Sequence, residues 1–454
     1  MNVALDMVDR DEREAAGERE SFGIGDADQQ RTDQTGTFRD GDCGQIVERG
    51  VGLLECLADH GNDGAQVFAG SKFGNHAAVF AVRRKLGGDY RGENNAAVFD
   101  HGSRGFVTRG FNTQNFHVRC ELDLSQFHYH LPESAIAQEP LADRAGSRML
   151  VLHRSQQTWE DRVFREFPQF LRPGDCLVLN DSKVFPSRLY GHRAGFSGEV
   201  EVLLVSPRSE DAKTWTALVH PGRKMRTGER VAFEGPTRES VEAEVIGRGQ
   251  FGERTLHFHY DGDFYEWLQK NGHVPLPPYI KRPDTEQDRA RYQTVFARET
   301  GSVAAPTAGL HFTSEILDAC RKAGAEIAYV TLHVGLGTFQ PVRGETLHAE
   351  RFYVNSQNEA KIRAAGRVIA AGTTSVRAVE SMYLGRSGET DLFIRMGFEF
   401  QRVNAMLTNF HLPESSLLML LCAFAGREFV LEAYRHAVKA GYRFYSYGDC
   451  MLIE

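Results

Sequence analysis

The sequence lacks any long hydrophobic run. The longest is Leu417–Ala425, LLMLLCAFA, well short of the roughly 20 apolar residues a membrane-crossing helix needs. It predicts a buried helix or strand. The first residues, MNVALDMVDRDEREAAGERE, have neither the basic start nor the apolar core of a secretory leader. Cysteine is sparse. The seven residues, at 43, 56, 120, 176, 320, 422 and 450, form no CxxC pair, which excludes a disulfide framework or zinc ribbon and suits a reducing cytoplasm. There is no excess of positive charge either. The net charge of −8 excludes an indiscriminate nucleic-acid binder, so any RNA partner needs a local basic patch.

Proline and tryptophan are missing from the first 117 residues, although the chain has 15 and three of them. That segment holds 18 of the 45 glycines, only two lysines, and 13 Lys+Arg against 19 Asp+Glu. Its only periodic stretches are Gly44–Leu57, a short helix by pattern, and Ala78–Val82, a short strand. Two readings stand: a disordered extension, or upstream DNA translated from a start placed too early. The second is favoured, with Val118 as the true start, and residues 1–117 are then an extension outside the fold.

From residue 118 the pattern is that of a globular α/β protein. Asp175–Asn180, DCLVLN, is a strand announced by the turn Arg172-Pro173-Gly174. Glu199–Val205, Trp215–Val219, Arg230–Phe233, Val241–Ile246 and Thr255–His259 are short strands at regular spacing, which predicts a small antiparallel β-barrel over residues 190–262. The rhythm then changes. Phe264–Asn271 and Ser314–Ala323, the latter capped by Thr313 and closed by Gly324, read as helices. Ala328–Leu332, Gly366–Ala371, Leu392–Ile394, Ala405–Leu407 and Arg443–Tyr445 read as strands, and Val376–Tyr383 as a helix. The expected architecture is a large α/β domain, residues 118–189 and 263–454, with the barrel inserted. Sites are expected where strands end and helices begin.

Four long strings follow in order: Gly301–Thr313, GSVAAPTAGLHFT; Thr331–Val342, TLHVGLGTFQPV; Ala370–Ser381, AAGTTSVRAVES; and Leu407–Ser416, LTNFHLPESS. Around them lie LPESAIAQEPLADRAGSRML at 131–150, LNDSKVFPSRLYG at 179–191, PLPPYIKRP at 275–283, RYQTVFA at 291–297 and YRFYSYGDCMLI at 442–453. Together they resemble the S-adenosylmethionine:tRNA ribosyltransferase-isomerase family of queuosine biosynthesis, over some 320 of the 454 residues.

The strings also carry chemistry of their own. GTTSVR follows a buried strand and opens a helix, so free amides and the Thr373 and Thr374 hydroxyls can cradle an anion, with Arg377 adding a forked donor. An ordinary cap with Arg377 in solvent is the plainer alternative. Pro306, Thr307 and Gly309 place small residues ahead of His311, permitting close backbone approach to a flat ligand. His333 ends a strand before Gly335, Gly337 and Thr338, and His411 follows Asn409 in a loop. A lone histidine is more often packing than chemistry, but these three could converge on one cleft. None has metal-ligand spacing, so no metal is expected. Arg223 and Lys224, and Lys281 and Arg282, are candidate phosphate contacts, against the alternative of solvated surface charge.

The resemblance implies that the ribosyl group of S-adenosylmethionine is transferred and isomerised onto 7-aminomethyl-7-deazaguanine at the tRNA wobble position. The products are epoxyqueuosine-tRNA, adenine and methionine. S-adenosylmethionine is then a substrate, tRNA the partner, and no prosthetic group is expected; a cytoplasmic monomer without a membrane is the expected setting. Such a reaction needs a base for the proton beside the sulfonium, which assigns His333 or His311 as base or acid. It assigns Thr373, Thr374 and Arg377 to an anionic group, and Asn409 with His411 to the ring pocket. The chain departs from the family at Met396-Gly397-Phe398, where Pro-Gly-Tyr is usual, at Val403-Asn404, where Val-Asp is usual, and in a shorter Arg343–Glu350. A methyltransferase would need a glycine-rich loop after its first strand. An RNA-binding module would lack the polar loops GTTSVR and TNFHLP.

Overall fold

In the computed structural model, the described residues are 123–235, 239–249, 252–335 and 347–454, together with three short strands earlier in the chain. Those strands, β1 (Ala65–Ala69), β2 (Phe80–Arg84) and β3 (Asn95–Ala97), pair antiparallel within a unit of residues 21–121. The expected Ala78–Val82 strand overlaps β2. The expected Gly44–Leu57 helix lies outside the described residues.

The main unit is built on a nine-stranded mixed sheet. Its strands are β4 (Arg148–His153), β5 (Thr158–Val163), β6 (Asp175–Asn180), β15 (Glu326–Leu332), β16 (Glu350–Tyr353), β17 (Arg367–Ala371), β18 (Gly388–Thr390), β19 (Ala405–Asn409) and β20 (Cys450–Ile453). They lie in the order β18-β16-β15-β6-β17-β19-β20-β4-β5. Strands β15, β6, β17 and β19 run parallel, and β20 returns antiparallel to β19. Every residue of β6 and β19 is buried, as a sheet covered on both faces requires. One face packs Val178, Val330, Ala370 and Met406 against the helices later in the chain; the other packs Leu179, Ile327, Ile369 and Leu407 against Phe164, Phe312 and Ile316. The class is α/β.

Inserted into this layer is a closed six-stranded barrel. It consists of β8 (Arg188–Arg193), β9 (Glu199–Pro207), β10 (Thr214–His220), β11 (Arg230–Glu234), β12 (Ser240–Arg248) and β13 (Glu253–His259), joined in the order β10-β13-β12-β11-β8-β9. The alternation in β11, exposed Arg230 against buried Val231 and so on, is what points one side chain of every pair inward. Trp215, Val231, Phe233, Leu256 and Phe258 fill the interior, with Phe264, Trp267 and Leu268 of helix α1 (Phe264–Asn271) packed on the same cluster. Two further short strands, β7 (Ser182–Val184) and β14 (Glu299–Ser302), pair parallel beside β6.

Helices α2 (Glu286–Arg291), α3 (Ser314–Lys322), α4 (Ser356–Ala364), α5 (Thr373–Tyr383), α6 (Ser416–Ala425) and α7 (Arg427–Lys439) complete the unit. The LLMLLCAFA run is α6, and Thr313 caps α3 through Ile316 N–H at 3.3 Å. Two expected strands are absent. Leu392–Ile394 is irregular backbone whose Leu392 and Ile394 are buried. Arg443–Tyr445 is irregular backbone whose one bridge, Ile136–Phe444, lies outside the sheet. Both are short apolar runs, for which burial and periodicity cannot be told apart. Cys176, Cys320, Cys422 and Cys450 are buried and unpaired. No helix among the described residues is long and apolar enough to cross a membrane.

Candidate functional site

Parallel strands deliver their carboxyl ends to one edge, where open α/β sheets bind ligands. Here that edge collects Asn180-Asp181 after β6, His333 after β15, Gly372-Thr373-Thr374 after β17 and Asn409 with His411 after β19. Asn180 ties three of these ends together. Its Nδ2 donates to Leu332 O at 3.0 Å and to Thr374 Oγ1 at 3.2 Å, while its Oδ1 accepts from Leu332 N–H at 3.0 Å. Asp181 accepts from Thr331 Oγ1 at 2.7 Å, and burial raises its carboxyl pKa against that hydrogen bond. Neither residue stood out as a candidate in the sequence. The signal was available, as two polar residues closing an all-apolar strand.

His311 and His411 are each tied to the end of β19, through Asn409 and Thr408. The 3-10 turn Thr307–His311, which starts from buried Pro306, places His311 Nε2 3.3 Å from Asn409 Oδ1 and Nδ1 2.9 Å from Ser147 Oγ. Asn409 Nδ2 donates to Tyr445 O at 2.8 Å, and Tyr445 holds a left-handed φ of 70°, a strained conformation for a bulky residue. His411 Nε2 lies 2.8 Å from Thr408 Oγ1, and its backbone is clamped by the hydroxyls of Tyr434 and Tyr129. Burial pushes His311 down to about 4 and His411 to about 3, so both are neutral. Each has a ring nitrogen spent inside the protein.

His333 stands apart. The strand order β15-β6-β17-β19 separates it from Asn409 by three strand spacings, about 14 Å. The three histidines therefore do not meet at one point. Burial, with Arg351 adding to it, lowers His333 to about 4. Its Nδ1 has no hydrogen-bond partner among the described residues. Gly301, at φ 146°, lies against the ring: a Cβ there would stand 3.0 Å from both Cε1 and Nδ1.

Gly372 opens α5 at φ 91° with no side-chain cap, so the amides at Thr373 and Thr374 face the edge without a competing acceptor. Ala308 approaches this turn, 3.8 Å from a Cβ on Gly372, with Pro306, Thr307 and Gly309 in the same segment. Gly337 and Thr338 lie outside the described residues. Arg377 is engaged within the protein. Its guanidinium is buried and bound to Glu350 Oε2, with Nε donating to Leu392 O at 3.1 Å. Its charge is thus matched by a buried carboxylate that also accepts from Gly335 N–H at 3.0 Å.

The basic candidates separate as well. Arg223 and Lys224 are exposed on a 3-10 turn that buried Arg254 pins by donating to Gly222 O at 2.6 Å and Met225 O at 2.8 Å. Arg282, in contrast, is committed to Asp288 at 2.7 and 2.9 Å and to Glu139, and Lys281 pairs with Glu133. Arg282 thus braces α2 and is not available to a phosphate. A groove of about 360 Å³ is lined by Arg298, Arg321, Asp318 and Tyr329; none of the three histidines lines it. Among the departures, Asn404 Oδ1 accepts from Val368 N–H at 2.8 Å, a bond an aspartate would make equally well. No cluster among the described residues could hold a metal ion.

Comparison with known proteins then gives four matches. The family described as queuosine biosynthesis protein matches residues 124–453. A protein of Solibacter usitatus named S-adenosylmethionine:tRNA ribosyltransferase-isomerase is 59% identical, over 73% of this chain and 100% of its own length. One of the same name from Caldanaerobacter subterraneus is 46% identical over 72% and 99%. A crystal structure of S-adenosylmethionine tRNA ribosyltransferase from Thermotoga maritima is 39% identical over 73% of this chain and all of that one, with a TM-score of 0.42.

Proposed function

The chain belongs to the queuosine biosynthesis protein family and is an enzyme of the ribosyltransferase-isomerase class; on that premise we propose that it transfers and isomerises the ribosyl group of S-adenosylmethionine onto 7-aminomethyl-7-deazaguanine at the tRNA wobble position. Epoxyqueuosine-tRNA forms, and adenine and methionine leave. S-adenosylmethionine is consumed as a substrate, and the reaction runs in the cytoplasm on a monomer whose catalytic body is residues 118–454.

The observation that carries the residue assignment is His333 Nδ1, unpartnered at the carboxyl edge on a ring that burial keeps neutral. A neutral imidazole with an open nitrogen accepts a proton; a protonated one cannot. His333 takes the acidic C5′ proton beside the sulfonium. The uncapped first turn of α5, with Thr373 and Thr374, holds the methionine carboxylate. Pro306, Thr307, Gly309 and Gly335 let backbone approach the adenosyl group. His311 and His411, both neutral and engaged, fix Asn409 and the end of β19 as the wall of the ring pocket. Arg223 and Lys224 contact tRNA phosphate.

The test uses protein beginning at Val118, S-adenosylmethionine and tRNA carrying the deazaguanine precursor. Chromatography should find tRNA-dependent release of adenine and methionine. S-adenosylhomocysteine would identify a methyltransferase instead. Binding without any product, from the full chain as well, would leave a non-catalytic RNA-binding protein and overturn the reading.

A further inference from the structure

Residues 333–335 leave β15 and are held at four backbone points. His333 N–H donates to Arg351 O at 2.9 Å, and Val334 N–H to Ser302 Oγ at 3.0 Å. Val334 O accepts from Val303 N–H at 3.1 Å, and Gly335 N–H donates to Glu350 Oε1 at 3.0 Å. Three of these holds are neutral. The fourth is a carboxylate whose side chain is only 5% exposed. A charge so placed needs a partner to remain ionised, and Arg377, itself 8% exposed, binds its second oxygen.

The remaining donors of Arg377 are also occupied. Nε reaches Leu392 O at 3.1 Å and the guanidinium reaches Thr390 O at 3.4 Å. Thr390 is fixed in turn by Ser381 Oγ at 2.6 Å and by Leu392 N–H at 3.1 Å. The chain of contacts therefore runs from α5 and the β18 end, through two charges, to Gly335. The sheet cannot do this work alone, because the β15–β16 pairing covers only Thr331–Tyr353 and Leu332–Phe352. Glu350, at the start of β16, extends the grip past the last paired residue. On the opposite side Gly301 leaves the His333 ring little free space, so a small shift of the loop moves the ring.

We propose that Arg377 and Glu350 form one positioning unit, whose buried ion pair holds Gly335 and thereby fixes the His333 ring for proton abstraction. The inference rests on the reading of His333 as proton acceptor. Neither Arg377 nor Glu350 touches the substrate. Their charges face each other, and the carboxylate's free oxygen is spent on backbone.

The experiment compares the full chain with Glu350→Ala, Glu350→Gln and Arg377→Lys. Three quantities are read: S-adenosylmethionine affinity by calorimetry, the single-turnover rate of adenine release with tRNA, and hydrogen exchange at the Gly335 amide. In Glu350→Ala the amide should exchange faster and the rate fall by about 10- to 100-fold, the scale of a misplaced reacting group, while affinity stays within about twofold. Glu350→Gln keeps the volume and the acceptor for Gly335 N–H, so it should recover part of the rate and protection. It also carries the test should the alanine variant not fold. Arg377→Lys, losing the fork but not the charge, should fall between them.

Affinity lost in step with rate in Arg377→Lys would make Arg377 a substrate ligand and overturn the proposal. So would an unchanged rate with the Gly335 amide released. If the unaltered chain releases no adenine, the proposed function fails. Exchange at Gly335 in Glu350→Ala still decides, by itself, whether the ion pair holds the loop.

Discussion

Acidifying the protein from about pH 7 to about pH 5 should remove much of its stability through two histidines. His311 and His411 are fully buried, and burial lowers them from the ordinary 6.5 to about 4 and about 3. In the unfolded chain both regain the ordinary value. The unfolded state therefore binds protons that the folded state refuses, and stability falls as pH drops below 6.5, the loss being complete only near the folded values. At about 1.4 kcal/mol per unit, each histidine contributes about 2 kcal/mol of loss by pH 5, roughly 4 kcal/mol for the pair. Urea unfolding followed by circular dichroism at the two pH values measures this, with an unchanged m-value as the control. His333, lowered to about 4, titrates in the same window, so His411→Gln should remove about one third of the pH-dependent loss and His311→Gln with His411→Gln about two thirds. If the double variant kept the full loss, the two rings would not be held neutral by burial, and their assignment as fixed walls of the pocket would fall.

Four further outcomes follow from the same contacts. His333→Ala should lower single-turnover adenine release by at least about 100-fold, the range of general-base loss, with S-adenosylmethionine affinity unchanged; near-normal turnover would remove His333 as the base. Lys224→Ala should weaken tRNA binding and reduce its salt slope by about one at constant stability. Arg282→Ala should instead cost about 3 kcal/mol of stability, measured by urea midpoint, because it strips the partner from Asp288, whose side chain is 2% exposed. Asn404→Asp should change stability by less than about 1 kcal/mol and leave turnover intact, since the acceptor for Val368 N–H is retained; a large loss of either would mean the amide itself is required.

Which elements were legible follows from what periodicity can see. DCLVLN reads as a strand because its apolar run is bounded by turn residues, and it is β6. The barrel strands alternate, so the closed six-stranded sheet was visible in outline. β5, TWEDRV, is an edge strand with no buried residue, and its polar pattern carries no signal. Arg443–Tyr445 failed for the opposite reason. Phe444 and Tyr445 are apolar and buried, yet they form the irregular backbone that brings Tyr445 O onto Asn409. In the site, strand ends were legible and side-chain commitments were not. Nothing near Arg377 in sequence reveals that Glu350, 27 residues away, claims it, or that Asp288 claims Arg282.

The separation of His333 from His311 and His411 is informative for the chemistry. A proton acceptor should be neutral with a nitrogen left unbonded, whereas a pocket wall should be neutral with its ring tied by hydrogen bonds. Burial alone makes all three neutral and cannot distinguish them. Hydrogen bonding can: Ser147 and Asn409 occupy His311, Thr408 occupies His411, and His333 Nδ1 is unpartnered among the described residues. The unpartnered, buried Nδ1 of His333 also sits where the backbone is gripped by a charged pair, which is where positional precision is needed. At the other end of the edge, neutral bonds and aromatic packing suffice, because shaping a cavity tolerates small errors that aiming a base at one C–H bond does not.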